Sequence, residues 1–293
     1  MVRSPSFDAG LANSSLSQQR RQATRDSVNW AVVVTSINRF LVGAALTISS
    51  MFIAPAVANT ERPDEATLKK YREQAAVTEL WEPVPRSVEA GVNGAPPSDA
   101  IVLFDGNHLE QWESVKSGAP QWEVTDGHLV VVPGTGNLRT RQAFGDVQLH
   151  IEWRTPAVVA GEGQDRGNSG VFLMERYEVQ VLDSFENKTY SNGQAASVYK
   201  QHIPLVNASR APGAWQTYDI VFMAPQFDRD GRIRRPATVT VLHNGVLVQN
   251  NVTLHGPTEY IGEPLYRQHG NAALELQDRG SPVAYRNIWI REL

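Results

Sequence analysis

The chain has 293 residues, with 27 Lys and Arg against 31 Asp and Glu, 41% hydrophobic residues and no cysteine. A packed core is therefore available and wholesale disorder is excluded, as are a disulfide, a thiolate nucleophile and any cysteine-held zinc or iron–sulfur centre. The net charge of −4 gives no electrostatic reason to expect nucleic acid, and 22 Gly with 17 Pro and no short period favour a turn-rich β protein over collagen.

Residues 1–28 are rich in Ser, Gln and Arg and read as a disordered leader. An uncharged run follows Arg39, from Phe40 to Ala58, ending in Ala56-Val57-Ala58, the A-x-A pattern that signal peptidase cuts. Residues 1–58 are thus expected to be a leader plus signal peptide of an exported, periplasmic or extracellular protein, the alternative being a membrane anchor formed by residues 40–58. Removing that segment takes away five Arg and two Asp, leaving 22 basic and 29 acidic residues and a still more acidic mature chain.

Residues 59–98 read as a helix followed by a Pro-rich linker or wrapped arm. Pro63 and Asp64 suit the first turn of a helix over 64–80, and Pro83, Pro85, Pro96 and Pro97 with Gly91 and Gly94 break what comes after. From residue 99 to 293 short strands take over, predicted at 101–104, 121–124, 128–132, 147–154, 170–175, 177–182, 215–223, 237–243, 246–250, 272–277 and 285–292. Asp126-Gly127 and Asn244-Gly245 lie between strand pairs and signal hairpins. Many short strands without βαβ alternation indicate an all-β sandwich or jelly roll.

Several strands carry Glu, Gln, His and Arg on their polar side. Alternation puts His150, Glu152 and Arg154 on one face of 149–154, Glu178 and Gln180 on one face of 177–183, and Glu275 and Gln277 on one face of 273–278; Arg286 shares a parity with Ile288. Each set alone is an ordinary solvated face. Together they suggest a carbohydrate-type cleft, edged by Asn168 and Ser169 in a Gly-rich loop where Gly167 and Gly170 allow close approach of a ligand. The seven histidines have no HExxH spacing, Gly-x-Ser-x-Gly is absent, and Asp228-Arg229-Asp230-Gly231 is only a fragment of a calcium loop.

Leu103-Phe104-Asp105-Gly106, Gly167-Asn168-Ser169-Gly170, Tyr177-Glu178-Val179-Gln180-Val181-Leu182-Asp183, Trp215-Gln216-Thr217-Tyr218, Leu276-Gln277-Asp278 and Tyr285-Arg286-Asn287-Ile288 occur in that order. In this the chain resembles the 3-keto-disaccharide hydrolase family from about Ala100 to Leu293. The resemblance implies a concanavalin A-like jelly roll of two curved antiparallel sheets, preceded here by a short N-terminal helix, and cleavage of glycosides oxidised at sugar carbon 3. It implies catalytic roles for Glu178 and Glu152 and substrate-binding roles for Asn168, Ser169, Gln180, Asp183, Gln277 and Arg286, with a carbohydrate partner. A divalent cation is compatible with the acidic residues, but no ligand set can be named. The family commonly reads Leu-Gln-Asp-His-Gly where this chain has Arg279, and His269 is the nearest histidine in sequence. That departure keeps open a non-catalytic carbohydrate-binding module; a structural envelope protein is the third reading.

Overall fold

The computed structural model describes residues 62–293. The chain divides after Glu79. Before that point lies one helix, α1 (Glu65–Ala76), started by Asp64, whose side chain accepts a 2.7 Å hydrogen bond from the Thr67 backbone N–H, and with no buried residue. Among the described residues no helix is long and apolar enough to cross a membrane. The run 40–58 lies outside the described residues.

From Leu80 onward the chain builds a sandwich. The larger sheet holds β1 (Ile101–Phe104), β3 (Glu123–Thr125), β4 (His128–Val130), β6 (Val147–Arg154), β9 (Gln216–Met223), β12 (Thr238–His243), β13 (Val246–Thr253) and β15 (Ala284–Glu292). Its order is β13-β12-β9-β6-β15-β4-β3, with β1 also paired to β15. The smaller holds β2 (Trp112–Ser114), β5 (Leu138–Phe144), β7 (Ser169–Leu173), β8 (Tyr177–Val181) and β14 (Ala272–Leu276), in the order β2-β5-β14-β7-β8. A separate two-stranded ribbon pairs β10 (Gln226–Phe227) with β11 (Ile233–Arg235). All pairings are antiparallel, so the chain is an all-β jelly-roll sandwich of the concanavalin A-like kind. Both expected hairpin turns form: Asp126-Gly127 and Asn244-Gly245 each have positive φ at both residues, matching the twist of the flanking strands.

The core lies between the sheets. Leu149, Ile151 and Trp153 face it from β6, Tyr218, Ile220 and Phe222 from β9, Tyr177, Val179 and Val181 from β8, and Val171 and Leu173 from β7. Tyr177 meets Phe222 across the gap at 5.4 Å, and the Tyr218 hydroxyl donates to the Gln180 carbonyl at 2.7 Å. Fully burying each such side chain contributes about 1.5–3 kcal/mol.

The strap 86–99 lies against the outer face of the larger sheet. Asn287 and Trp289 both donate to the Gly94 carbonyl at 2.9 Å, and Asp99 pairs with Arg291 at 2.8 Å. The Pro-rich stretch is thus a wrapped arm in its second half.

Candidate functional site

The register assigns each polar side chain to one of two outer faces. Strands 147–154, 177–183 and 272–278, expected to be neighbours, are not all in one sheet: β6 belongs to the larger sheet, β8 and β14 to the smaller. Because Ile151 and Val179 both point inward, Glu152 and Glu178 project from opposite sides of the sandwich. The expectation of one site containing both glutamates is overturned.

Arg286 goes with Glu152. A bulge in β15, where Asn287 adopts φ 46°, breaks the alternation, so Arg286 turns outward while Ile288 stays in the core and the shared parity is lost. Its guanidinium bonds Glu152 at 2.7 Å and lies 4.1 Å from the Trp215 ring centre. Burial opposes ionisation of Glu152, but hydrogen bonds from Asn287 and Arg286 outweigh it and hold the carboxyl below its usual range. Beside this pair, His150 bonds Asp219 at 2.6 Å under the strap, in a cavity of about 690 Å³.

Two further expectations fail for reasons of direction. Ser169 shares its inward parity with Val171, and its hydroxyl is buried between the Tyr285 hydroxyl (2.6 Å) and the Gln277 carbonyl (2.5 Å). Asp183 has one oxygen on Arg166 Nε (2.7 Å) and the other on the Phe185 N–H (3.2 Å), so it fastens the loop. The glycines of that loop admit neighbouring side chains: a Cβ on Gly167 would meet Thr155 at 2.8 Å, and one on Gly170 would meet the Glu178 carboxyl at 2.5 Å. His269 bonds the core-facing Tyr177 hydroxyl at 2.7 Å.

What the smaller sheet brings together is a grid. One row runs Glu113, Arg139, Glu275, Phe172, Glu178 across β2, β5, β14, β7 and β8. In the next row Gly170 lies opposite Gln180, and the Gln277 backbone N–H donates to the Gly170 carbonyl at 3.0 Å. Beyond β8, the segment 197–199 continues both rows: Val198 pairs with Val179, the Tyr199 N–H donates to the Glu178 carbonyl, and the Gln180 N–H donates to the Ser197 carbonyl. Gly170, having no side chain, leaves a hollow into which the Glu178 carboxyl leans.

Glu178 is 5% exposed. Burial pushes its pKa up to about 8, against the opposing pull of the Arg279 charge. One terminal atom of the Gln180 amide lies 2.9 Å from Glu178 Oε1 and 3.2 Å from the Ser169 carbonyl oxygen; the other lies 3.1 Å from Gln164 Oε1. Glu178 and Gln164 therefore compete for the amide nitrogen, and the ionised carboxylate is the stronger acceptor. Asn168 Nδ2 donates to the Gln164 carbonyl at 2.6 Å, and Gln164 Nε2 donates to Thr189 and Gly193, so the loop holds the amide next to the acid. Beyond the strand ends, past β2, β14 and the start of β5, a cavity of about 530 Å³ is lined by Lys116, Asn137, Asp165, Asp278 and Arg279. Sequence reasoning missed Gln164, Tyr199, Ser197 and Arg139, which sit in loops or in a strand without an apolar signal. Among the described residues no group of three or more His, Asp or Glu is arranged to hold a metal ion, and no ligand set emerges for the divalent cation.

The fold and this face define a concanavalin A-like sandwich with a polar, carbohydrate-type surface around one buried acid. A family model described as a 3-keto-alpha-glucoside-1,2-lyase-like domain matches residues 99–291, and the chain belongs to that family. A crystal structure from Parabacteroides distasonis, named as a candidate glycosyl hydrolase, is 51% identical, covers 74% of this chain and 96% of its own, and superposes with a TM-score of 0.72. A second from the same organism, named likewise, is 20% identical over 67% of this chain and 94% of its own, with a TM-score of 0.49. A search of curated proteins found no match. Family membership implies a carbohydrate substrate and glycoside-related, glycosidase-type activity.

Proposed function

We propose that the protein cleaves glycosides already oxidised at sugar carbon 3, by base-assisted elimination followed by addition of water. The observation that carries this reading is the Glu178 carboxyl, buried in the Gly170 hollow beside two glutamines, with its pKa raised to about 8. A carboxylate of that basicity is a far better base than an exposed one; about a tenth of it is ionised at pH 7, and the ionised share rises steeply towards pH 8.

The 3-keto group acidifies the hydrogen on C2. Glu178 takes that proton, the C2–H electron pair forms a C1=C2 double bond, and the C1–O bond breaks to release the aglycone. Water then adds at C1 while the proton returns to C2. Charge develops on the C3 oxygen during proton removal, and the Gln277 amide is the donor on this face that can meet it, while Gln180, buried with both ends of its amide engaged, steadies the Glu178 carboxyl. Asn168 acts through Gln164 to position Gln180. Glu152, Arg286, Ser169 and Asp183 have no part in the reaction. Export, with cleavage after Ala58, belongs to the same proposal and rests on the uncharged run ending in A-x-A.

The test is incubation of the purified protein with a 3-keto-glucoside in deuterated water. Release of aglycone with deuterium at C2 of the sugar is expected. Binding of the keto sugar without turnover would overturn the enzyme reading in favour of a carbohydrate-binding module, which the Arg279 departure would then explain.

A further inference from the structure

Eliminating the aglycone requires two proton transfers, one from C2 and one onto the departing oxygen, and Glu178 accounts only for the first. Glu275 lies across from it. Glu275 is paired with Phe172 between β14 and β7, and Phe172 with Glu178 between β7 and β8. All three side chains leave the same outer face, because Leu274 and Leu276, Val171 and Leu173, and Tyr177 and Val179 point into the core. Two strand spacings put the two glutamate Cα atoms roughly 10 Å apart, enough for a pyranose ring to lie on the Phe172 side chain between them.

The surroundings of Glu275 suit a proton donor. Its Oε1 accepts a 2.5 Å hydrogen bond from Asn137 Nδ2. The neighbouring Arg139 is engaged by Glu113 at 2.9 Å and Glu175 at 3.2 Å, so its pull on Glu275 towards the charged form is shared with two other carboxylates and opposed by the Glu175 charge. Burial, the largest influence, raises its pKa.

Building on the proposed function, we infer that Glu275 is the general acid, protonating the aglycone oxygen from the opposite side of Phe172 to the base Glu178. As Glu178 removes the C2 proton, the C1–O electron pair passes to the aglycone oxygen, which takes the Glu275 proton. In hydration the roles reverse: ionised Glu275 takes a proton from the water adding at C1, and Glu178 returns its proton to C2. Across the cycle one water is consumed and both carboxyls are restored.

Glu275→Gln preserves volume and the acceptor for Asn137. It is assayed with two 3-keto-glucosides, one with an alkyl or sugar aglycone and one with a nitrophenyl aglycone, which departs without a proton. Loss of on the order of 10²–10⁴-fold in kcat is expected for the poor leaving group, and less than about tenfold for nitrophenyl. The high-pH decline of the wild-type profile should disappear in the variant. If Glu275→Gln does not fold, Glu275→Asp carries the test, with the same bias towards the poor leaving group. Equal losses for both substrates, or none for the poor one, would overturn the assignment while leaving the elimination reading standing. Wild type inert towards both substrates would instead overturn the elimination reading and this inference with it.

Discussion

Replacing Glu178 by glutamine should remove activity and strengthen the fold at once. The folded carboxyl has a pKa of about 8 against an ordinary value of 4.5, because burial penalises its charge. Below about pH 4.5 it is protonated in both folded and unfolded chains and contributes no pH dependence. Between 4.5 and 8 the unfolded chain loses the proton while the folded chain keeps it, so the folded state binds more protons and stability falls as pH rises. At pH 7 the difference is two and a half units, or roughly 3 to 4 kcal/mol at about 1.4 kcal/mol per unit. Glutamine is neutral at every pH and fills the same space, so the variant escapes this penalty. Urea unfolding at pH 5 and pH 7.5 should show a small difference at the lower pH and a clear gain for Glu178→Gln at the higher. Turnover of a 3-keto-glucoside should fall about 10²–10⁴-fold in the same variant. A variant that keeps wild-type turnover, or one less stable than wild type at pH 7.5, would refute the placement of a high-pKa base in the Gly170 hollow.

Other expectations follow from the same geometry. Gly170→Ala places a methyl 2.5 Å from the Glu178 carboxyl and 2.8 Å from the Phe172 ring, so turnover should collapse while circular dichroism still reports a β sandwich. Glu152→Gln and Arg286→Lys alter the other face of the sandwich and should leave kcat and KM unchanged; a loss of turnover in either would contradict the two-face arrangement. The Arg279 charge lowers the Glu178 pKa, so Arg279→Ala should move the low-pH limb of the kcat/KM profile to higher pH, and an unchanged or lowered midpoint would show that the charge does not reach the base. Mass spectrometry of the protein from its native host should find a chain starting near Asn59; an intact 1–58 segment on soluble protein would contradict export.

The strands with strong alternation were legible in the sequence. β1, β6 and the Asp126-Gly127 and Asn244-Gly245 turns stand where the pattern puts them, because apolar side chains every second residue and αL-tolerant turn residues are local signals. β5 was not. Leu138 to Phe144 carries two Arg, a Thr and a Gln among three apolar residues, and it becomes a strand because β2 and β14 hydrogen-bond it from both sides. Arg139 and its partners Glu113 and Glu175 were invisible for the same reason. The bulge at Asn287 likewise has no local signal, and it is what separates the outward Arg286 from the inward Ile288.

Alternation within a strand was enough to establish that Glu178 and Gln180 share a face, that Glu152 and His150 share another, and that Glu275 and Gln277 share a third, because a period of two is a property of the extended chain itself. It could not say which of those faces coincide. That is settled by which sheet each strand joins, a matter of pairing between segments as distant in the chain as Ile101 and Ile290, through backbone hydrogen bonds that carry no record of side-chain type. The sandwich assigns Glu178 and Glu275 to one outer surface and Glu152 to the other, and the burial that makes Glu178 basic exists only once β7, β14 and the segment 197–199 close around it.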